Sequence, residues 1–221
     1  AAAHPAQLQT VTFDAMGVTL AQKMNDGKFV ASSLREDELF TFYRADGGRD
    51  TLSTGKAPYP FRFQGIDDTS LKVKKRIFEY RLKYNGHNDQ FVVCYCLNNL
   101  FEIYNSDGSL HKRIIAPYPY LVDTNHLSAD KLGVPIAELI FTFKDCCLTD
   151  DRIFLLYNGS SPAGMIGAQS KIYVFDYEGN PIKYYLLDRY AYSFCIDKQD
   201  GVIYALSDEN DQKQVVRYSM L

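Results

Sequence analysis

Four times along the chain a polar turn runs into a short apolar strand. The copies are DGKFVASSL (Asp26–Leu34), DQFVVCYCL (Asp89–Leu97), DRIFLLYNG (Asp151–Gly159) and DGVIYALSD (Asp200–Asp208). Their first large apolar residues, Phe29, Phe91, Ile153 and Val202, are spaced 62, 62 and 49 apart. A near-fixed period of this size marks repeated supersecondary units, each burying its apolar face against its neighbours.

Each copy sits inside a longer unit. A strand precedes it: VTLAQKM (Val18–Met24), FEYRLKYN (Phe78–Asn85), IFTFKDCCL (Ile140–Leu148) and YSFCIDK (Tyr192–Lys198). The second alternates cleanly, with Phe78, Tyr80, Leu82 and Tyr84 on one face and Glu79, Arg81 and Lys83 on the other. A hairpin follows each copy but the last, turning at Asp46-Gly47, Asp107-Gly108 and Glu178-Gly179. Asp-Gly supplies the positive φ of a tight two-residue turn. The expected fold class is therefore all-β, a β-propeller of four-stranded antiparallel blades, with about four repeats in one domain over residues 1–221. The blades span about 17–60, 77–119, 139–188 and 191–221. The last lacks a fourth strand, and QLQTVTF (residues 7–13) is the candidate closing strand, since its pairing would satisfy both exposed edges. Short helices are expected near Asp68–Ile77 and Leu127–Gly133, from Ser and Thr caps and the Gly133 stop.

Ala-Pro-Tyr-Pro occurs twice, at Ala57–Pro60 and Ala116–Pro119, each time after the last strand of a blade. Proline ends a strand and sets the crossover, and tyrosine then plugs the joint between blades. The functional alternative places aromatic and cationic groups on one loop face, with Tyr59, Arg62, Tyr118 and Tyr120 as the binding residues.

Other chemistry is sparse. Lys and Arg number 24 against 27 Asp and Glu, a net charge of −3, so no basic excess points to nucleic acid. No apolar run approaches the roughly 18 residues of a membrane span. No G-x-S-x-G, H-E-x-x-H or dinucleotide fingerprint occurs, so no catalytic residue is assigned. His4, His87, His111 and His126 are scattered, the Asp197–Gly201 stretch reads as a turn, and no metal site or cofactor is assigned. The five cysteines are odd in number, and the Cys94/Cys96 and Cys146/Cys147 spacings do not close relaxed disulfides. They read as small buried apolar residues.

The chain resembles the TolB-like six-bladed β-propellers found among lipoproteins of Bacteroidales. The blocks that carry the likeness are TDDRIFLLYNG, KIYVFDYEGNPIKYYLLDR and FCIDKQDGVIYALS through QVVRYSM, within Thr149–Met220. Tyr59-Pro60 and Tyr118-Pro119 also match. The resemblance spans about Gly17 to Met220, although the family pattern has six blades and four are visible here. It implies a periplasmic or outer-membrane-associated lipoprotein of the cell envelope, anchored by a lipid upstream of this chain, and it offers no catalytic residues. The expected function is non-enzymatic binding or scaffolding, with a protein, peptide or glycan as partner. The alternative is a propeller hydrolase or lyase holding a metal in its central channel through carboxylates such as Asp123 and Asp145.

Overall fold

A computed structural model describes residues 10–15, 17–33, 37–51, 59–60, 71–116, 139–161, 164, 168–199, 201–209 and 212–220. These form fourteen strands and one helix. The strands are β1 (Val18–Lys23), β2 (Phe29–Ser33), β3 (Thr41–Tyr43), β4 (Tyr80–Asn85), β5 (Gln90–Tyr95), β6 (Leu100–Asn105) and β7 (Leu110–Ile115). They continue as β8 (Phe141–Leu148), β9 (Ile153–Ser160), β10 (Lys171–Phe175), β11 (Pro181–Leu186), β12 (Ala191–Asp197), β13 (Val202–Glu209) and β14 (Gln212–Ser219). The helix, α1 (Leu71–Ile77), falls where the first cap signal put it. The second expected helix, 127–133, lies outside the described residues.

All pairing is antiparallel between neighbours in sequence, giving sheets β1-β2-β3, β4-β5-β6-β7, β8-β9-β10-β11 and β12-β13-β14. Such meanders need only short connections, which is why a tandem repeat folds into them. A fourth strand of the first sheet would fall on 52–58, outside the described residues.

The sheets stand side by side with their first strands together: β1 lies against β4, β4 against β8, and β8 against β12. First strands therefore form an inner wall, and the third and fourth strands fan outward. Exposure follows: β7, β11 and β14 are largely exposed, whereas β5 and β6 are almost wholly buried. Three apolar clusters fill the three joints. Phe40, Phe42, Leu82, Phe91 and Tyr104 join the first and second sheets. Val92, Phe101, Ile103, Phe143 and Leu155 join the second and third. Leu156, Ile172, Phe194 and Ile203 join the third and fourth. Each fully buried aromatic contributes about 1.5–3 kcal/mol relative to an exposed one, and edge-to-face pairs such as Phe40–Phe91 at 4.9 Å add to that.

The outer hairpins correct one sequence expectation. They are not two-residue turns. Gly47 N donates to Arg44 O, Gly108 N to Asn105 O and Gly179 N to Asp176 O, at 2.9, 2.9 and 3.1 Å. Each loop thus holds three residues and ends on a left-handed glycine, a geometry that also suits the right-handed strand twist. The aspartates act as turn-formers: Asp46, Asp107 and Asp176 accept from the backbone N–H two residues on.

The N-terminal segment is held on the first sheet. Asp14 N donates to Gly47 O at 2.9 Å, and the Phe13 ring meets Phe29 and Tyr43 at 5.3 and 5.1 Å. A Cβ on Gly47 would lie 1.9 Å from Thr12 O. Thr10–Phe13 make no strand pairing, and residues 7–9 lie outside the described residues. Among the described residues β14 pairs only with β13, and the described part of the expected closing strand, Thr10–Phe13, does not pair with it.

Candidate functional site

The meander puts two kinds of loop at opposite ends of the sheets. The first-to-second and third-to-fourth strand turns share one end. The second-to-third loops and the connections between sheets share the other.

The first end is tied together turn by turn. Asn25 Nδ2 donates to Gly86 O at 2.6 Å, joining the first sheet to the second. Asn85 Nδ2 donates to Thr149 O at 3.0 Å and to Tyr177 Oη at 2.6 Å, and Asn88 Nδ2 donates to Asp150 O at 2.8 Å, joining the second to the third. Lys198 pairs with Asp150 at 3.1 Å, joining the third to the fourth. These side chains tie each turn to its neighbour on the next sheet.

The opposite end has its own inter-sheet bonds. The Thr142 hydroxyl sits between the carbonyls of Tyr95, Cys96 and Asn98 at 2.9–3.2 Å. Asn98 Nδ2 donates to Ile77 O at 2.8 Å. Ser170 Oγ bonds Asn158 Oδ1 and accepts from Ala191 N at 2.6 and 2.8 Å.

Tyr59 lies at this end, half-buried at the joint of the first and second sheets. Its ring tilts against Phe78 at 4.9 Å, and Lys75 Nζ lies 5.8 Å from its centroid. Its hydroxyl is buried yet has no hydrogen-bond partner among the described residues. Burial, aided by the charge of Asp37, pushes that phenol well above its ordinary pKa. The ring thus does the plugging that the Pro-Tyr-Pro pattern implies, while the hydroxyl is left over. Arg62, Tyr118 and Tyr120 lie outside the described residues.

One buried polar cluster had no signal in the sequence. Glu102 on β6 is fully buried and accepts from Tyr95 Oη (2.6 Å), Tyr104 Oη (2.8 Å) and Arg113 Nε (2.6 Å). A second Arg113 nitrogen lies 2.6 Å from the same carboxylate. Burial, with the neighbouring carboxylate charge, drives Tyr95 and Tyr104 well above the usual phenol value. Every oxygen of Glu102 is satisfied, so this network holds the second sheet and offers nothing to a ligand. Single-sequence reading places Glu102 on a strand but cannot bring Tyr95 and Arg113 to it without the register.

All five thiols are free. Cys94, Cys96 and Cys146 are buried as expected, but Cys147 is half-buried and Cys195 is exposed, because the outer face of β12 has no sheet packed on it among the described residues. Cys94 and Cys146 meet across the joint of the second and third sheets, where their mutual contact and burial hold Cys94 well above its ordinary pKa. Among the described residues no three His, Cys, Asp or Glu side chains gather to hold a metal ion, and no helix is long and apolar enough to cross a membrane.

Antiparallel sheets with first strands inward and polar turns at both ends define a β-propeller fold. The family model for TolB-like 6-blade propeller-like proteins matches residues 4–199, and the chain belongs to that family. No curated protein matches the sequence. Among solved structures, the chain is similar to a candidate 6-phosphogluconolactonase from Bacteroides uniformis ATCC 8492, with 14% identity, TM-score 0.48, and coverage of 93% of this chain and 53% of that one. A protein from Lactobacillus plantarum shows 9% identity, TM-score 0.48, and coverage of 90% and 50%. The WD40 domain of Toxoplasma gondii coronin shows 11% identity, TM-score 0.44, and coverage of 91% and 45%. This chain thus spans about half the length of the structures it resembles.

Proposed function

We propose that the protein is a non-enzymatic binding or scaffolding propeller of the bacterial cell envelope, periplasmic or outer-membrane-associated, lipid-anchored upstream of this chain, and that Tyr59, Arg62, Tyr118 and Tyr120 engage a protein, peptide or glycan partner. The observation that supports this is the Tyr59 hydroxyl, buried without a partner beside Lys75. Leaving such a group unsatisfied costs about 1–3 kcal/mol, a cost that a bound acceptor would offset. Aromatic faces with polar tips suit recognition of peptides and sugars.

The test separates plug from contact. Tyr59→Phe keeps the ring and removes the hydroxyl. Capture of a partner from an envelope extract, followed by a glycan array, supplies the ligand. The expected result is several-fold weaker binding by Tyr59→Phe and by Tyr118→Phe, with an unchanged or raised melting temperature for Tyr59→Phe. Unchanged binding by both variants would remove the site assignment.

A further inference from the structure

The inner wall between the second and third sheets carries an excess of cations that the fold does not use up. Arg76 ends α1, Arg81 lies on β4 and Lys144 lies on β8. Glu79 is shared by the two arginines: Oε2 accepts from Arg76 Nη1, and Oε1 lies 3.7 Å from Arg81 Nη1. Arg81 Nε donates to Lys144 O at 3.1 Å and Nη1 to Tyr80 O at 3.5 Å, which fixes the guanidinium beside β8, and among the described residues its Nη2 has no acceptor. The other nearby carboxylate, Asp145, turns to the fourth sheet, where Ser193 Oγ donates to it at 2.5 Å and Phe194 N at 3.4 Å.

Lys144 is the odd member. In the β8–β9 ladder Phe143 faces Tyr157 and Asp145 faces Leu156, so Lys144 is an inserted residue at a β-bulge. A bulge in an inner strand re-aims its side chain, and bulges recur beside binding and catalytic sites for that reason. Here it produces a half-buried ammonium, 4.1 Å from the Phe141 ring centroid, that has no hydrogen-bond acceptor among the described residues. Burial holds this ammonium below the ordinary lysine value, with the Cys96 thiol and the Glu79 carboxylate opposing the shift and the positive charges of Arg81 and Arg76 adding to it. A cation taken part-way out of water without a partner is costly, and the ring returns only part of that.

We propose that Lys144 and Arg81 bind the anionic group of a small ligand, a phosphate or a carboxylate, on the inner wall of the propeller. A guanidinium edge and an ammonium together match the oxygens of either group. The site uses neither Tyr59 nor its hydroxyl and does not rest on the binding role proposed for that residue.

The probes are inorganic phosphate and citrate, titrated calorimetrically at low ionic strength, where screening is weak. Wild-type protein is expected to bind one or both saturably. Lys144→Met should weaken binding roughly tenfold, the worth of one charge-assisted hydrogen bond, and Lys144→Arg should retain most of it. Lys183→Met is the control, because Lys183 Nζ also sits over a ring, that of Tyr185 at 4.7 Å, but on the outer strand β11. Binding of phosphate alone points to a phosphorylated ligand and of citrate alone to a carboxylated one. Either result supports the site. Acetylation of Lys144 in the wild-type protein, read by mass spectrometry, should slow in the presence of the bound probe and needs no variant to fold. No saturable binding, equal losses in the Lys144→Met and Lys183→Met proteins, or no protection of Lys144 would overturn the proposal.

Discussion

Replacing Glu102 with leucine removes the acceptor that three side chains share. The Tyr95 hydroxyl is buried with its residue at 0% exposure, Tyr104 is at 3%, and both lose their partner at 2.6 and 2.8 Å. Each buried hydroxyl left unsatisfied costs about 1–3 kcal/mol. Arg113 is about a third exposed, so its guanidinium can turn toward water and its loss adds little. The total is about 3–5 kcal/mol, the range seen when one partner of a buried charged network is removed. In a protein of this size that corresponds to a fall in melting temperature of roughly 10 °C. Removing the three donors as well should rescue the fold. With Tyr95→Phe, Tyr104→Phe and Arg113→Met added, no polar group is stranded, and stability should return to within about 1–2 kcal/mol of wild type. Urea denaturation followed by far-UV circular dichroism measures both proteins. The account fails if Glu102→Leu alone costs less than about 1 kcal/mol, or if the fourfold variant is no more stable than the single one.

Two further outcomes follow from the same structure. Asp188 is held down to about 2 by hydrogen bonds from Arg189 and from the Tyr218 hydroxyl. Its folded value lies below the unfolded value of about 4, so its stabilisation is present above that value and disappears as pH falls toward 2. Asp188→Asn should therefore melt below wild type at pH 7, with the gap closing by about pH 2 in thermal melts across that range; a gap that persists unchanged contradicts the assignment. For the cysteines, only Cys195 is exposed among the five free thiols, so a thiol reagent should label Cys195 rapidly in the native protein and reach five groups after denaturation. Peptide mapping identifies the first site, and rapid native labelling of Cys94 or Cys146 would contradict the packing of the second joint.

Much of the architecture is visible in one sequence because its causes are local. The alternation of Tyr80, Leu82 and Tyr84 with Arg81 and Lys83 specifies a two-faced strand, and β4 carries Tyr80 and Leu82 buried. Asp107-Gly108 specifies a hairpin, since aspartate bonds the following backbone and glycine accepts φ of 88°. The 62-residue spacing follows from repetition of those local signals. Turn length was already beyond reach, because Asp-Gly serves a three-residue loop as well as a two-residue one. The tertiary structure alone decided the rest. Arg81 and Lys144 are 63 positions apart, and they meet only because β4 and β8 are neighbouring inner strands and a bulge shifts the register at Lys144. The orphan hydroxyl of Tyr59 and the three donors on Glu102 have the same origin. Sequence period dictates which face a side chain takes, but the partner it meets depends on how separate sheets are placed against one another, and that placement is set by packing across the joints.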